Sequence, residues 1–215
     1  MMESLPGVLQ TLGILTNFAL LASTRVGASI RWLAIQGLLI GAMPLFLHAG
    51  ASSLRLWLVV VTNLVMKGIV FPALLLRLRA RTGFHREVEP FVGLSGSLLF
   101  GLAALGFSMW LAARVNGVMA GRPFIVLDAA LFLILTGLFL IITRRKAVMQ
   151  VLGYVVLENG IFVFGLSTVV DTPVLVELGV LLDAFVAVFV MGIAIFQINR
   201  EFSDIDVGRL NALRD

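Results

Sequence analysis

VMQVLGYVVLENGIFVFGLSTVV, residues 148–170, is an apolar run long enough to cross a bilayer as a single helix. Glu158 lies near its middle, where an ionisable side chain costs about 2.5–3.5 kcal/mol on insertion scales. Asp183 lies near the middle of the next apolar run, and Lys67 lies deep within an earlier one. Because such residues are costly at membrane depth, these three predict a site that handles charge inside the membrane.

The composition predicts an all-α fold, a polytopic membrane helix bundle. Of the 215 residues, 60% are hydrophobic and 13% are charged, against about 25% charged in a soluble domain. The chain has no cysteine, which excludes disulfides, thiolate zinc sites and cysteine-ligated iron–sulfur clusters within it. The net charge of +4 does not predict nucleic-acid binding, because the apolar runs leave no sizeable polar domain to carry a basic face.

A 20-residue template divides the chain into about seven transmembrane helices. The predicted spans are 5–23, 32–49, 54–76, 91–113, 124–142, 148–170 and 174–198. Of the 16 lysines and arginines, twelve fall on one side of this arrangement and three on the other. Since loops rich in basic residues stay in the cytoplasm, we expect the N-terminus outside and the C-terminus in the cytoplasm.

The two carboxylates have similar predicted depths. Glu158 lies ten residues, about 15 Å, into its span, and Asp183 lies about 14 Å in from the opposite surface. Surroundings of low dielectric constant favour the neutral forms of these acids and of Lys67, so all three can gain and lose protons. The pattern predicts a proton relay through Glu158, Asp183 and Lys67. The alternative is a static clamp, in which buried polar groups hold helices together.

Candidate accessory groups surround this relay. Tyr154 lies one helical turn before the acid of span six and Asn159 directly follows it, so either could solvate a proton path, although a neighbouring helix could equally satisfy the tyrosine hydroxyl. Asp128 and Glu177 lie near the outer ends of their spans, and each is either a helix N-terminal charge favoured by the dipole or an exit group. His48 is expected at the outer membrane interface.

Proline and glycine make two further predictions. Pro72, five residues after Lys67, predicts a kink in span three that frees a backbone carbonyl near the lysine. Gly153 and Gly160 stand on either side of the acid in span six and predict close packing of helices.

The last three spans resemble a known group of membrane subunits. The stretch Gly153–Gly160 (GYVVLENG), after the basic loop Arg144–Lys146 and before Leu182-Asp183-Ala184, resembles the K subunit of respiratory complex I and the C subunit of Mrp-type antiporters. Asp183 matches the acid of the third helix in the K subunit. The acid of its second helix would fall at Val155, whereas this chain carries its acid three residues further on.

Over nearly its full length the chain resembles more closely the hydrogenase-4 component E family. The residues that carry this resemblance are Lys67 with Pro72, Glu158-Asn159-Gly160, Val176-Glu177-Leu178-Gly179, Asp183-Ala184 and the tail from Asp204 to Leu210. Together with the spans, the resemblance implies four parts. They are an N-terminal three-helix membrane unit (1–90), an adaptor helix and loop (91–123), a three-helix unit resembling the K subunit (124–199) and a cytoplasmic tail (200–215).

The resemblance implies a proton-translocating membrane-arm subunit of a multi-subunit, energy-converting redox complex. Such a chain would not itself be an enzyme and would hold no metal or cofactor. Iron–sulfur clusters and a nickel–iron centre would lie in partner subunits. The implied partners are antiporter-like membrane subunits, the lipid bilayer and the carried ion, a proton or sodium, in the cytoplasmic (inner) membrane of a prokaryote.

Two other functions remain compatible with the residues. The chain could be a structural adaptor that bridges larger antiporter-like subunits through its buried charges. It could also be an independent secondary transporter with a substrate pocket near Lys67, as found where paired helices are discontinuous.

Overall fold

The computed structural model describes residues 5–47, 54–81, 92–118, 126–144, 146–168 and 192. The elements in these ranges are helices. Four of them are long and apolar enough to cross a membrane, namely Val26–Phe46, Val60–Arg77, Leu94–Gly117 and Val148–Ser167. Two shorter apolar helices, Gly7–Ala22 and Leu127–Thr143, accompany them. The chain is therefore a multi-pass helical membrane protein, as the composition predicts.

Seven helices and one π-helical turn make up the described part. They are α1 (Leu5–Ala22), α2 (Val26–Leu47), α3 (Leu54–Val65), the π turn (Met66–Val70), α4 (Phe71–Arg81), α5 (Leu94–Val118), α6 (Leu127–Thr143) and α7 (Ala147–Thr168). Helices α3 and α4 together form the third predicted span. The seventh predicted span, 174–198, lies outside the described residues except for residue 192, so the count of seven spans, the orientation and the division into four parts stay predictions.

Two helices extend beyond the predicted spans. In each case the predicted span stops next to an arginine, and the helix includes that arginine. Helix α2 begins at Val26 rather than at residue 32 and includes Arg31, whose side chain is exposed. Helix α5 continues to Val118 rather than ending at residue 113, and its Arg114 guanidinium lies 5.6 Å from the ring centroid of Trp110. Long basic side chains can lie along a helix with their charged ends in a polar layer, so a cation does not have to end the helix.

A π turn lies just before Pro72 in the third predicted span. The N–H of Phe71 donates to the carbonyl of Met66, five residues back, which is the π-helical pattern. Pro72 has no N–H and cannot extend this pattern to the carbonyl of Lys67. Isolated π turns inside helices occur frequently at functional sites, and this one contains the predicted lysine.

The interior of the bundle has two apolar clusters. One joins the end of α1, the first half of α2, α4, the end of α6 and the first half of α7. The other joins the second half of α2, the first half of α6 and the later part of α7. Between the clusters, four helices carry buried polar residues, represented by Asn17, Gln36, Thr136 and Glu158. The site therefore lies midway along the bundle, away from both ends.

Helices α6 and α7 form an antiparallel hairpin with unusually close backbones. A Cβ atom added to Gly137 would lie 2.5 Å from the backbone nitrogen of Leu157. Cβ atoms added to Gly153 and Gly160 would lie 2.9 Å and 2.7 Å from backbone nitrogens of α6. Close packing is therefore the reason for the two glycines on either side of the acid, as predicted.

Candidate functional site

A buried polar layer crosses the bundle between the two apolar clusters. We define it by seven residues on five elements: Thr16, Asn17, Gln36, Lys67, Thr136, Glu158 and Asn159. Each has at most a few per cent of its surface exposed. Gln36 and Glu158 both lie ten residues into their candidate spans, about 15 Å at the helical rise. The layer therefore falls close to the centre of a hydrocarbon core about 30 Å thick.

The central contact in the layer is an ion pair between two spans. Lys67 Nζ lies 2.5 Å from Glu158 Oε1, and each side chain is only 1% exposed. The ammonium group also lies 4.5 Å from the centroid of the Phe162 ring, a cation–π distance. Glu158 Oε2 has no hydrogen-bond partner among the described residues. The structure thus brings together two of the three residues predicted for the relay.

A ladder of side-chain amides runs beside the ion pair. Asn159 Nδ2 donates to Gln36 Oε1 at 3.3 Å, and Gln36 Nε2 donates to Asn17 Oδ1 at 3.2 Å. Asn17 Nδ2 in turn donates to the carbonyl of Phe132 at 3.5 Å. The ladder therefore connects α7, α2, α1 and α6 at the depth of the ion pair. Hydrocarbon offers these amides no hydrogen-bond partner, so their hydrogen bonds are made within the protein.

The remaining predicted residues occupy different places. Asn159, predicted as an accessory group, is a member of the ladder. Tyr154 is partly buried and packs against the first apolar cluster, one turn before the acid. Asp128 lies in the first turn of α6, where both its carboxylate oxygens accept from Gln10 Nε2, at 2.6 Å and 2.8 Å. Asp183, Glu177 and His48 lie outside the described residues, so their roles stay predictions.

Several residues of the site escaped the sequence analysis. Gln36 was not singled out, although an amide in the middle of an apolar run is the same kind of signal as a buried charge. Thr16 and Asn17 lie in the first predicted span and carry the same kind of signal. Phe162 gives no signal, because one phenylalanine among 16 has nothing to mark it as the partner of a cation.

Arg144 holds the turn between α6 and α7 against α1. Its side chain is 3% exposed, and Nη2 donates to the carbonyl of Leu21 at 3.2 Å. Burial lowers the pKa of this guanidinium below its usual value. The residue was counted only as a cytoplasmic charge, and it also fastens the hairpin to the N-terminal helices.

The backbone of α2 touches the π turn directly. A Cβ atom added to Gly37 would lie 2.7 Å from the carbonyl oxygen of Lys67, closer than real Cβ contacts come. Gly37→Ala is therefore expected to push the π turn away from α2 and to lower stability by about 1–3 kcal/mol, the usual range for overpacking. Thermal unfolding of the purified protein measures the change.

Gly41→Ala is the matched control, one turn further along α2. Its added Cβ would lie 3.3 Å from the nearest atoms, so the neighbours need to give by only a few tenths of an ångström. Equal melting temperatures for the two variants would contradict the close approach at Lys67.

The described residues contain no group of three histidine, aspartate or glutamate side chains that could hold a metal ion. The polar layer consists instead of one acid, one base, three amides and two hydroxyls. Its ion pair binds two spans together.

Fold and site together define a multi-pass helical membrane protein with a buried ion pair between spans. Residues 125–215 match the family model for NADH-ubiquinone/plastoquinone oxidoreductase chain 4L. Over 191 residues the chain is 34% identical to the uncharacterized protein Rv0085 of Mycobacterium tuberculosis, which covers 87% of this chain and 86% of that protein. Over 88 residues it is 36% identical to hydrogenase-4 component E of Escherichia coli, 41% of each chain. No solved structure matches the chain.

The chain belongs to the same family as the uncharacterized protein Rv0085. Part of it is similar to hydrogenase-4 component E, and its C-terminal region is similar to chain 4L. The resemblance found in the sequence is thereby confirmed. These matches point to a membrane subunit of a complex I-like or hydrogenase-like complex. Glu158 lies within the region matched by the chain 4L model and Lys67 lies outside it, so the ion pair joins that region to the N-terminal helices.

Proposed function

We propose that the chain is a proton-translocating membrane-arm subunit of a multi-subunit, energy-converting redox complex. Its own contribution is a proton relay in which Glu158 is a reversible carrier and Lys67 modulates it. Asp183 is the next proposed carrier, on the predicted seventh span. The matches to chain 4L and to hydrogenase-4 component E support the setting, and the buried ion pair supports the chemistry.

The single observation that carries the proposal is a complete ion pair at mid-membrane depth. A buried charge is tolerated only while its partner is close, so Lys67 and Glu158 keep each other charged at this depth. In the proposed relay the two groups separate when a proton enters and come together again when it leaves. Lys67 lies in the π turn, five residues before Pro72, where the hydrogen-bond pattern of the helix is irregular.

The proposed setting is the cytoplasmic membrane of a bacterium, in contact with antiporter-like subunits. The redox chemistry belongs to other partner subunits, which would carry iron–sulfur clusters and a nickel–iron centre. The carried ion is a proton, with sodium as the alternative. Identification of the subunits that co-purify with the tagged chain tests this setting, and an isolated, monodisperse chain would favour an independent transporter instead.

The double variant Lys67→Met/Glu158→Gln tests the relay. It removes both charges together, so no unpaired charge remains buried and assembly is expected to persist. Redox turnover should continue while translocation linked to it falls to background. Both are measured in inverted membrane vesicles, with substrate consumption and a pH-sensitive dye recorded in parallel.

A structural adaptor is the second candidate, because the same ion pair clamps the π turn to α7. In that case the double variant would translocate protons at the wild-type rate, since a neutral, well-packed pair can replace a clamp. Wild-type translocation by an assembled double variant would therefore reject the relay and leave the adaptor.

A further inference from the structure

The amide ladder has one direction. Each amide donates toward the next, from Asn159 to Gln36, from Gln36 to Asn17, and from Asn17 to a backbone carbonyl of α6. Asn159 stands at the donating end of this series, so no amide of the ladder donates to its oxygen. Asn159 Oδ1 is buried and has no hydrogen-bond partner among the described residues. A buried acceptor without a donor is costly, so it needs an explanation.

The unfilled acceptor belongs to the residue that follows the acid of the ion pair. Asn159 directly follows Glu158 in α7, and Gln36 directly precedes Gly37, whose backbone touches that of Lys67. The contact of Lys67 with Glu158 and the contact of Gln36 with Asn159 are therefore made by neighbouring residues of α7. An ammonium group has three N–H donors, and Glu158 Oε1 accepts one of those of Lys67.

Proton uptake by Glu158 creates a need for another partner. Once the carboxylate is neutral, the ammonium group loses its counter-ion while it is still buried, next to the neutral acid and the ring of Phe162. Hydrocarbon surroundings do not tolerate a cation without strong acceptors. A carbonyl oxygen with a free lone pair meets this need without adding a second titratable group.

We propose that Asn159 Oδ1 is the alternative acceptor for the Lys67 ammonium group when Glu158 takes up a proton, and that Gln36 is the positioning residue that keeps this oxygen available. This inference rests on the proposed relay. A proton enters at Glu158 and the lysine N–H moves from Glu158 Oε1 to Asn159 Oδ1. The proton then leaves Glu158, and the lysine returns to the carboxylate. The lysine stays protonated throughout, so one proton enters and one leaves.

The other charged groups around α7 stand apart from this exchange. In the described parts of the helices packed against α7, Arg31 of α2 and Arg77 of α4 are exposed, and Asp128 of α6 pairs with Gln10. Tyr154 of α7 itself is the nearest further titratable group, one turn away. Among the described residues the ion-pair contact of Glu158 is with Lys67.

Infrared difference spectroscopy of the assembled complex during acidification tests the exchange. In wild type, the carboxyl band of protonated Glu158 should appear together with a shift of one amide carbonyl band. The first band is assigned by its loss in Lys67→Met/Glu158→Gln, and the second by its loss in Asn159→Leu. A carboxyl band that appears without an amide shift would overturn the inference while leaving the relay intact.

Gln36→Leu should keep the carboxyl band, lose the amide shift and lower translocation roughly tenfold, about the effect of one buried hydrogen bond. Gln150→Leu is the matched control, because it removes a glutamine whose amide bonds to the carbonyl of Arg144, away from the ladder. It should retain both signals. An unchanged amide shift in Gln36→Leu would overturn the role of Gln36, and absence of the carboxyl band in wild type would overturn the relay itself.

Discussion

Glu158→Gln alone is expected to lower stability by about 3–5 kcal/mol, whereas Lys67→Met/Glu158→Gln is expected to stay within about 1 kcal/mol of wild type. The single variant leaves the Lys67 ammonium group buried without a counter-ion, next to the ring of Phe162. The double variant removes both charges and puts side chains of similar volume in their place. Breaking a buried pair therefore costs far more than deleting it.

Thermal unfolding of the purified protein, followed by tryptophan fluorescence, measures this difference. Arg31→Met is the matched control, because it also removes a positive charge from a span but from an exposed position. It should change the melting temperature little. A double variant as unstable as Glu158→Gln would show that the pair contributes through its shape rather than its charge.

Gly137→Ala is expected to disrupt the α6–α7 hairpin and to lower the stability of the protein by about 1–3 kcal/mol. The added Cβ would lie 2.5 Å from a backbone nitrogen, and a backbone cannot rotate out of the way as a side chain can. The two helices would have to separate, and the position of Glu158 on α7 would move with them. Recovery of the assembled complex on a native gel and its melting temperature both report the loss.

Gly106→Ala in α5 is the control for this variant. Nothing lies within 4 Å of its added Cβ, and alanine favours a helix over glycine by about 0.5–1 kcal/mol. We therefore expect Gly106→Ala to be neutral or slightly stabilising. Equal losses in the two variants would mean that helix propensity, and not the hairpin contact, determines the effect of Gly137.

The sequence predicts the class of fold well, because long apolar runs have few alternatives in a membrane. It places the ends of the spans less well, since the predicted spans leave out Arg31 and Arg114, although each lies in a helix. The π turn was also missed. Proline indicates that the hydrogen-bond pattern must change, but whether the change is a kink or a π turn depends on what packs against it. Here that neighbour is the backbone of α2 at Gly37.

The charged part of the site was predictable because charges at membrane depth are rare. Lys67 and Glu158 could be singled out from their own surroundings, without knowing how the helices pack. Their pairing could not, because 91 residues separate them and several arrangements of the spans satisfy the same hydropathy. The amide ladder was harder still, since Gln36 gains its meaning only from Asn17 and Asn159 on other helices.

The glycine contacts of the α6–α7 hairpin limit how the site can move. Backbones that touch at three points along α7 have no flexible side chains between them, so this helix cannot slide along its neighbour without a collision. The position of Glu158 along α6 is consequently fixed. In the proposed relay, the movement that opens and closes the ion pair therefore belongs to Lys67, which lies in the π turn.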